Sequence, residues 1–197
     1  MSANPFNATE FLRGAPGLEH LPEDDGREVA FAGRSNVGKS SIINALVGHK
    51  RLVRVSRTPG RTRELNFFQV QPGARLVDLP GYGYAKVSQA QKQAWGEFLS
   101  DYLAQRRSLA GVVVVMDVRH PFKGSDQDLL GWLQEAGYPY HVVLNKADKL
   151  TRGDCNDVLR QVGRNPLTSA APVQLFSNVS GSGVEELRRV VQGWLQE

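Results

Sequence analysis

Short apolar runs alternate along this chain with longer segments in which apolar residues recur at helical spacing. The runs predict strands at 28–32, 65–70, 76–79, 111–117, 140–144 and 173–176, and the longer segments predict helices at 39–47, 88–105, 126–136, 154–162 and 183–195. The run GVVVVMD at 111–117 is apolar on both faces, as a central parallel strand is when helices cover both sides of a sheet. The alternation predicts a three-layer α/β fold with a mostly parallel six-stranded sheet.

Nothing in the chain reads as a linker or an internal repeat, so the 197 residues predict one domain. Residues 1–26 precede the first predicted strand and are interpreted as an N-terminal extension packed on a domain formed by 27–197. The N-terminus lacks the apolar core of a signal peptide, and no stretch approaches the ~20 apolar residues of a membrane span. With a single cysteine, Cys155, the composition predicts a soluble, cytoplasmic protein without disulfides.

The small net charge of +4 is concentrated in one place. Segment 49–63, HKRLVRVSRTPGRTR, contains no acidic residue and six basic ones: Lys50, Arg51, Arg54, Arg57, Arg61 and Arg63. Runs of like charge often form solvated loops. The alternative is a surface for an anionic partner, which we favour because this segment lies between the nucleotide motifs described next.

The sequence GRSNVGKS follows a predicted strand and precedes a predicted helix, in the order that a phosphate-binding loop requires. Its glycines allow the backbone to curl so that N–H groups face phosphate oxygens, and the positive end of the following helix adds to the attraction. Lys39 would neutralise the β- and γ-phosphates, and the Ser40 hydroxyl would be a ligand of Mg²⁺. The motif predicts a nucleotide site formed by Gly33, Arg34, Ser35, Asn36, Val37, Gly38, Lys39 and Ser40.

A second short motif, DLPG, ends the predicted strand at 76–79. A carboxylate there can hold Mg²⁺ through a water molecule, and the amide of the glycine can reach the γ-phosphate and release it after hydrolysis. The pattern is weak alone, but its position after a strand makes it the expected partner of the phosphate loop. Its residues are Asp78, Leu79, Pro80 and Gly81.

A third motif, NKAD, follows the strand YHVVL and selects the base. Guanine presents an N1–H and an amino group side by side, which the carboxylate of Asp148 can accept together, whereas adenine would leave that carboxylate unpaired. Asn145 can bridge to base acceptors or tie its loop to the phosphate loop, and the stem of Lys146 can lie along the purine. A helix-capping role for Asp148 is the alternative. The guanine motif comprises Asn145, Lys146, Ala147 and Asp148.

The finer sequence resembles one family closely. The matching stretches are GRSNVGKSS at 33–41, SRTPGRTRELNFF at 56–68, VDLPGYGYAKV at 77–87, MDVRHP at 116–121, LNKADKL at 144–150 and LFS at 175–177. They resemble the YihA/EngB/YsxC family of bacterial GTPases, within the TrmE-Era-EngA-EngB-Septin-like superfamily, over residues 6–195. The resemblance implies a P-loop NTPase of the Ras-like G-domain type over 27–197, which hydrolyses GTP with Mg²⁺.

The same resemblance implies a biological role and partners. It implies a GTP-driven switch in assembly of the large (50S) ribosomal subunit, required for normal cell division and septation. The expected partners are GTP, GDP, rRNA and ribosomal proteins, with no DNA or membrane partner, and the protein is expected to be a monomer. The basic residues Lys50, Arg51, Arg54 and Arg57 are the RNA-binding candidates.

Two further regions take their roles from the resemblance. The first switch would be the TPGRT stretch at 58–62, with the Thr62 hydroxyl joining Ser40 on Mg²⁺ and Thr58 as the alternative ligand. The GTP-binding residues expected here are Gly60, Arg61, Thr62, Arg63 and Glu64. A backbone amide within Phe176, Ser177 and Asn178 would contact the guanine oxygen. Asn178 departs from the family's F-S-S pattern, which leaves the detail of this contact open.

The residue after Gly81 bears on catalysis. It is Tyr82, whereas Ras-like enzymes carry there the glutamine that orients the attacking water. We therefore expect slow hydrolysis that a ribosomal particle or a monovalent cation accelerates. Asn36 is either a K⁺ ligand or a loop hydrogen-bond donor, and Arg61 is either an arginine finger or an RNA or structural residue. The alternative functions are a GTP-gated RNA- or protein-binding module with negligible turnover and an ATP-using P-loop kinase, against which NKAD argues.

Overall fold

The structure is a computed structural model that describes residues 4–53, 64–82, 89–169 and 171–196. Within these ranges the backbone forms a seven-stranded sheet with helices on both faces. The strands are β1 Glu10–Ala15, β2 Arg27–Gly33, β3 Leu65–Gln71, β4 Ala74–Asp78, β5 Leu109–Asp117, β6 Tyr140–Asn145 and β7 Val173–Phe176. The helices are α1 Lys39–Val47, α2 Gln89–Gln105, α3 Gly124–Glu135, α4 Arg152–Gly163 and α5 Val184–Gln196.

The order of strands across the sheet is β1-β3-β4-β2-β5-β6-β7. The five strands from β4 to β7 in this order are parallel, and β3 and β1 add an antiparallel edge. The α/β class with a mostly parallel sheet is confirmed. The count of six strands was one too few, because β1 was not predicted. Only Ala15 of this strand is buried, so no alternation of apolar residues marks it in the sequence.

The two faces of β5 supply both halves of the core. Val113 and Val115 pack with buried residues of α1 and α5, including Ile42, Leu46 and Val191. On the other face, Val112, Val114 and Met116 pack with residues of α2, α3 and α4, including Tyr102, Leu130 and Val162. The continuous apolar run at 111–117 is thereby explained, since neither face of this strand meets water.

Residues before β2 contribute to the same sheet and core. β1 pairs with β3, and Phe6 is buried in the cluster that includes α1. We propose on this basis that residues 1–26 are an extension of a single domain formed with 27–197. Within the described ranges, no helix combines the length and the apolar character that crossing a membrane requires.

Candidate nucleotide-binding site

The phosphate loop connects the end of β2 to the start of α1. Gly38, immediately before α1, has φ 98°, and a Cβ there would lie 2.3 Å from Nδ2 of Asn145. Asn36 also adopts a left-handed backbone, with φ 64°, which asparagine tolerates better than most residues. The loop therefore follows the tight path that a phosphate cradle at a helix N-terminus needs.

Lys39, Ser40 and Asp78 lie together where the phosphate loop meets the end of β4. The Lys39 ammonium donates a hydrogen bond to Asp78 Oδ1, and the Ser40 hydroxyl donates to Oδ2 at 3.4 Å. Lys39 and Asp78 are both buried. A hydroxyl and a carboxylate are oxygen ligands of the kind that Mg²⁺ prefers, so these residues fit the magnesium role expected of them.

Asn145 joins the guanine motif to the phosphate loop. It is the last residue of β6, it is buried, and its Nδ2 donates to the carbonyl of Val37 at 2.8 Å. Two roles were considered for Asn145, a contact with the base and a hydrogen bond that connects its loop to the phosphate loop. The structure shows the hydrogen bond to the phosphate loop. The tie also explains the need for glycine at 38, since a side chain at that position would collide with the amide.

Lys146 reaches from the guanine motif in two directions. Its ammonium donates to the carbonyl of Asn36 at 2.9 Å and lies 3.0 Å from Oδ2 of Asp117. Asp117 ends β5, directly beside Asn145 in the sheet, and also receives two hydrogen bonds from the guanidinium of Arg119 and one from its amide. The Arg119 guanidinium, followed by Lys146, holds the pKa of Asp117 well below its ordinary value. The sequence analysis missed Asp117 as a functional residue, although its position at the end of a buried strand was the available signal.

Asp148 is oriented by a side chain of the last motif. The Ser177 hydroxyl donates to Oδ1 of Asp148 at 2.7 Å, and Lys149 lies 3.3 Å from Oδ2. The Ser177 oxygen also accepts from the amides of Val179 and Ser180, at 3.2 and 3.3 Å. The hydroxyl, more than Lys149, lowers the pKa of Asp148 and so favours the ionised carboxylate. Sequence reasoning assigned only a backbone contact to this segment and missed the Ser177 side chain.

The other residues of these motifs have distinct surroundings. Ala147 begins a short 3-10 helix, Ala147–Lys149, beside the guanine motif. Phe176 is fully buried at the end of β7, whereas Asn178 is exposed. Leu79 and Pro80 are buried beyond β4, with the Leu79 amide donating to Phe31 at 3.0 Å.

The loop after β4 lies directly against the phosphate loop. The amide of Ser35 donates to the carbonyl of Tyr82 at 3.0 Å, and a Cβ on Gly81 would lie 2.9 Å from the nitrogen and Cα of Ser35. The Tyr82 hydroxyl and the Arg34 guanidinium both donate to the carboxylate of Asp126. Burial raises the pKa of Asp126, with Arg34 acting in the opposite direction. Asp126 is a second residue that sequence reasoning missed.

The basic segment is described only at its start, residues 49–53. Lys50 and Arg51 are exposed just beyond α1, and Glu64 is exposed just before β3. The side chain of Asn44 donates to the carbonyl of Val53 at 2.9 Å and accepts from its amide at 2.8 Å. This pair of hydrogen bonds fixes the start of the segment to α1. The predicted roles of Arg54, Arg57, Thr58, Gly60, Arg61, Thr62 and Arg63 fall outside the described residues.

Phosphate-binding and guanine-binding groups thus meet where parallel strands end, which is where open α/β sheets bind ligands. The arrangement is that of the P-loop GTP-binding proteins. A family model described as 50S ribosome-binding GTPase matches residues 28–146.

Relatives narrow the class. A probable GTP-binding protein EngB of Aeromonas salmonicida (strain A449) is 47% identical over 192 residues, covering 96% of this chain and 88% of the relative. The corresponding protein of Sodalis glossinidius (strain morsitans) is 48% identical over 191 residues, covering 96% and 90%. The chain belongs to the EngB family of GTP-binding proteins. A crystal structure of a probable GTP-binding protein engB matches the fold with a TM-score of 0.70 and 22% identity, covering 86% of this chain and 98% of that one.

Proposed function

We propose that this GTPase is a molecular switch in assembly of the large (50S) ribosomal subunit, and that its GTP-bound form contacts ribosomal RNA through the basic segment 49–63. The observation that carries the proposal is the attachment of that segment to the nucleotide site. Asn44 of α1 fixes Val53 through two hydrogen bonds, and α1 is the helix that begins with Lys39 of the phosphate loop. A change at the phosphates would therefore be transmitted directly to a basic surface.

Specificity for guanine rests on the ionised carboxylate of Asp148. The Ser177 hydroxyl stabilises that charge, and guanine offers the N1–H and amino donors that satisfy it. The phosphates would be neutralised by Lys39 and contacted by the amide of Gly81. Mg²⁺ would be held by Ser40 and Thr62, with Asp78 acting through a water molecule, and it would neutralise charge on the phosphate oxygens.

Hydrolysis is proposed to be slow because Tyr82 stands where a water-orienting glutamine acts in Ras-like enzymes. Its hydroxyl is already bound to Asp126, 3.0 Å away, which draws it towards α3. A ribosomal particle or K⁺ bound by Asn36 would supply the missing acceleration, with Arg61 as a further candidate. The protein would act as a cytoplasmic monomer, and division and septation defects would follow from too few ribosomes.

Co-sedimentation with ribosomal particles tests the RNA contact. We expect pelleting with a GTP analogue but not with GDP, and we expect it to weaken as salt increases. The double variants Lys50→Ala/Arg51→Ala and Arg54→Ala/Arg57→Ala should each pellet less, because each removes two charges from the proposed surface. The matched control is Arg152→Ala/Arg160→Ala, two exposed arginines of α4 outside the segment. Pelleting that is indifferent to nucleotide and to both segment variants would contradict the proposal.

The hydrogen bond of Tyr82 to Asp126 keeps a second function open, a GTP-gated binding module with negligible turnover. Phosphate release in the presence of ribosomal particles separates the two. Release that rises with particle concentration supports the GTP-driven switch. Nucleotide-dependent pelleting without any release supports the gated module. Equal stabilisation of the protein by ADP and GDP would instead favour the ATP-using kinase and contradict both.

A further inference from the structure

The three side chains of Arg34, Tyr82 and Asp126 form one hydrogen-bonded group that links the phosphate loop to α3. The Tyr82 hydroxyl donates to Asp126 Oδ1 at 3.0 Å, and Arg34 Nε donates to Oδ2 at 3.0 Å. The amide of Lys123 also donates to Oδ2, at 3.1 Å, and Arg34 Nη2 donates to the carbonyl of His120 at 3.0 Å. We call the three side chains the Asp126 latch.

The latch is largely buried, and both carboxylate oxygens of Asp126 accept hydrogen bonds. The side chain of Asp126 has no exposed surface, and that of Arg34 is 23% exposed. A buried carboxylate is costly unless donors surround it, so each donor here contributes to holding the others in position. The Tyr82 hydroxyl is the only one of these donors that comes from the loop beyond β4, as far as the described residues go.

The latch joins three elements that a GTPase must coordinate. Arg34 is the second residue of the phosphate loop, Tyr82 follows Gly81 of the DLPG motif, and Asp126 lies in the first turn of α3. The partners are 92 and 44 residues apart in sequence. The side chain of Tyr82, the residue after Gly81, therefore anchors this loop to α3.

The backbone beside the latch leaves little space at the phosphate loop. Ser35 donates its amide to the Tyr82 carbonyl at 3.0 Å, and a single added Cβ on Gly81 would come within 2.9 Å of the Ser35 nitrogen. Tyr82 is thus held at two points, by the Ser35 amide at its carbonyl and by Asp126 at its hydroxyl. Any movement of the backbone at 81–82 that brings the Gly81 amide to a γ-phosphate is opposed by both hydrogen bonds.

We propose that Tyr82 is a positioning residue for Gly81, and that its hydrogen bond to Asp126 favours GDP over GTP by holding the loop beyond β4 against the phosphate loop. This proposal rests on the proposed function in one respect only, namely that the Gly81 amide contacts the γ-phosphate of GTP. GTP binding then includes the cost of opening the latch, and GDP binding does not.

The variant Tyr82→Phe tests this by removing one oxygen atom. Affinities of the isolated protein for GDP and for a non-hydrolysable GTP analogue are measured by calorimetry with Mg²⁺. We expect the ratio of the two affinities to shift towards the GTP analogue by roughly ten- to a hundredfold, the worth of one hydrogen bond to a charged group. Asp126→Asn, which weakens the same bond, should shift the ratio in the same direction.

The matched control is Tyr102→Phe. The Tyr102 hydroxyl also donates to a buried carboxylate, that of Glu28, at 3.1 Å, and this pair lies at the opposite end of the sheet. The control should lower the free energy of unfolding, measured in urea for every variant, and leave the affinity ratio unchanged. A purely structural role for Tyr82 predicts the same behaviour for both variants.

Three outcomes would contradict this proposal. In Tyr82→Phe they are an equal loss of affinity for GDP and for the GTP analogue, or a shift of the affinity ratio towards GDP. The third is a shift of the ratio in Tyr102→Phe as large as that in Tyr82→Phe. The measurement uses no ribosomal particles. A failure of the pelleting experiment would therefore contradict the ribosomal role while leaving the affinity ratio to decide the latch.

Discussion

Two fully buried carboxylates, Glu28 and Asp126, have similar partners at opposite ends of the sheet. Each accepts hydrogen bonds from a tyrosine hydroxyl and from at least one arginine. Glu28 is the second residue of β2, at the end of the sheet away from the phosphate loop, whereas Asp126 contacts that loop through Arg34. The two carboxylates make the same kinds of hydrogen bond. Any difference between the effects of breaking them must therefore come from the elements that carry their tyrosine and arginine partners.

The partners of Glu28 belong to elements that the fold holds in place. Arg75 lies in β4, and Arg106 follows the end of α2, 2.6 Å from Glu28 Oε1. Both guanidinium groups continue to backbone carbonyls of residues 22–25. The cluster therefore fastens the N-terminal residues to the sheet. At Asp126 the partners Arg34 and Tyr82 lie on loops that carry the nucleotide motifs. Whether these hydrogen bonds form can therefore depend on which nucleotide is bound.

The largest expected effect is that of Glu28→Gln. Glutamine keeps the shape of the side chain but removes the buried carboxylate that Arg75 and Arg106 share, and breaking a buried pair in this way costs about 3–5 kcal/mol of unfolding free energy. Urea-induced unfolding measures the loss. The control Glu135→Gln, at an exposed position of α3, should stay within about 0.5 kcal/mol of the parent protein.

The comparison also requires that Glu28→Gln leave the preference between GDP and a GTP analogue unchanged. If the variant is as stable as the parent, the cluster does not fasten the fold. If instead the nucleotide preference shifts as it does in Tyr82→Phe, the two ends of the sheet do not differ in their effect on nucleotide choice.

A smaller effect, on affinity rather than stability, is expected for Asp117→Asn. The carboxylate holds the ammonium of Lys146 at 3.0 Å, and neutralising it releases a side chain that we expect along the purine. GDP and GTP-analogue affinities should both fall by about tenfold, since a charge-assisted hydrogen bond is lost. Titration calorimetry measures both. The control Asp157→Asn, in an exposed pair with Arg160 on α4, should change neither.

A double-mutant cycle separates this role from general damage. In the background of Lys146→Met, the further change Asp117→Asn should have little effect, because the partner of the carboxylate has already gone. A full tenfold loss in that background would mean that Asp117 acts through Arg119 or through the sheet, and the assignment to Lys146 would be wrong.

The sequence predicted those elements that carry their own local signals. Helix α1 was predicted with its observed bounds because Gly38 and Gly48, both with positive φ, mark its two ends. Strand β1 was missed because its reason for being a strand is pairing with β3, and its apolar Phe11 and Leu12 remain exposed. Helix α3 begins at Gly124, earlier than the predicted 126, because Asp126 accepts the amide of Lys123 and so caps the first turn.

The same distinction applies within the site. Contiguous motifs could be recognised because each groups its residues within four to eight positions of chain. Asp117, Asp126 and the hydroxyl of Ser177 act on partners in other motifs, and Ser177 is 29 residues from Asp148. Only the order of the strands brings such residues together. Sequence patterns therefore located the groups that would touch the nucleotide, but not the groups that orient them.

The smallest expected effect is a shift in pH dependence for Ser177→Ala. In the folded protein the Ser177 hydroxyl lowers the pKa of Asp148, so the carboxylate stays ionised, and able to accept the donors of guanine, as the pH falls. Removing the hydroxyl raises that pKa towards its ordinary value. GDP affinity should then begin to fall at a higher pH than in the parent protein, while changing little at neutral pH. Affinities measured at intervals over about pH 4–7, the range around carboxylate titration, define the two acid limbs.

The matched control for this shift is Ser180→Ala, because the Ser180 hydroxyl lies in the same loop and contacts Ser182 rather than Asp148. It should reproduce the acid limb of the parent protein. Coincident limbs for Ser177→Ala and the parent would mean that Asp148 keeps its charge without the hydroxyl, and a loss of affinity equal at every pH would mean that Ser177 only shapes the loop through the amides of Val179 and Ser180. A shift confined to Ser177→Ala would make this serine the counterpart of Arg34 and Tyr82: a neighbour that sets the state of a carboxylate at the nucleotide end of the sheet.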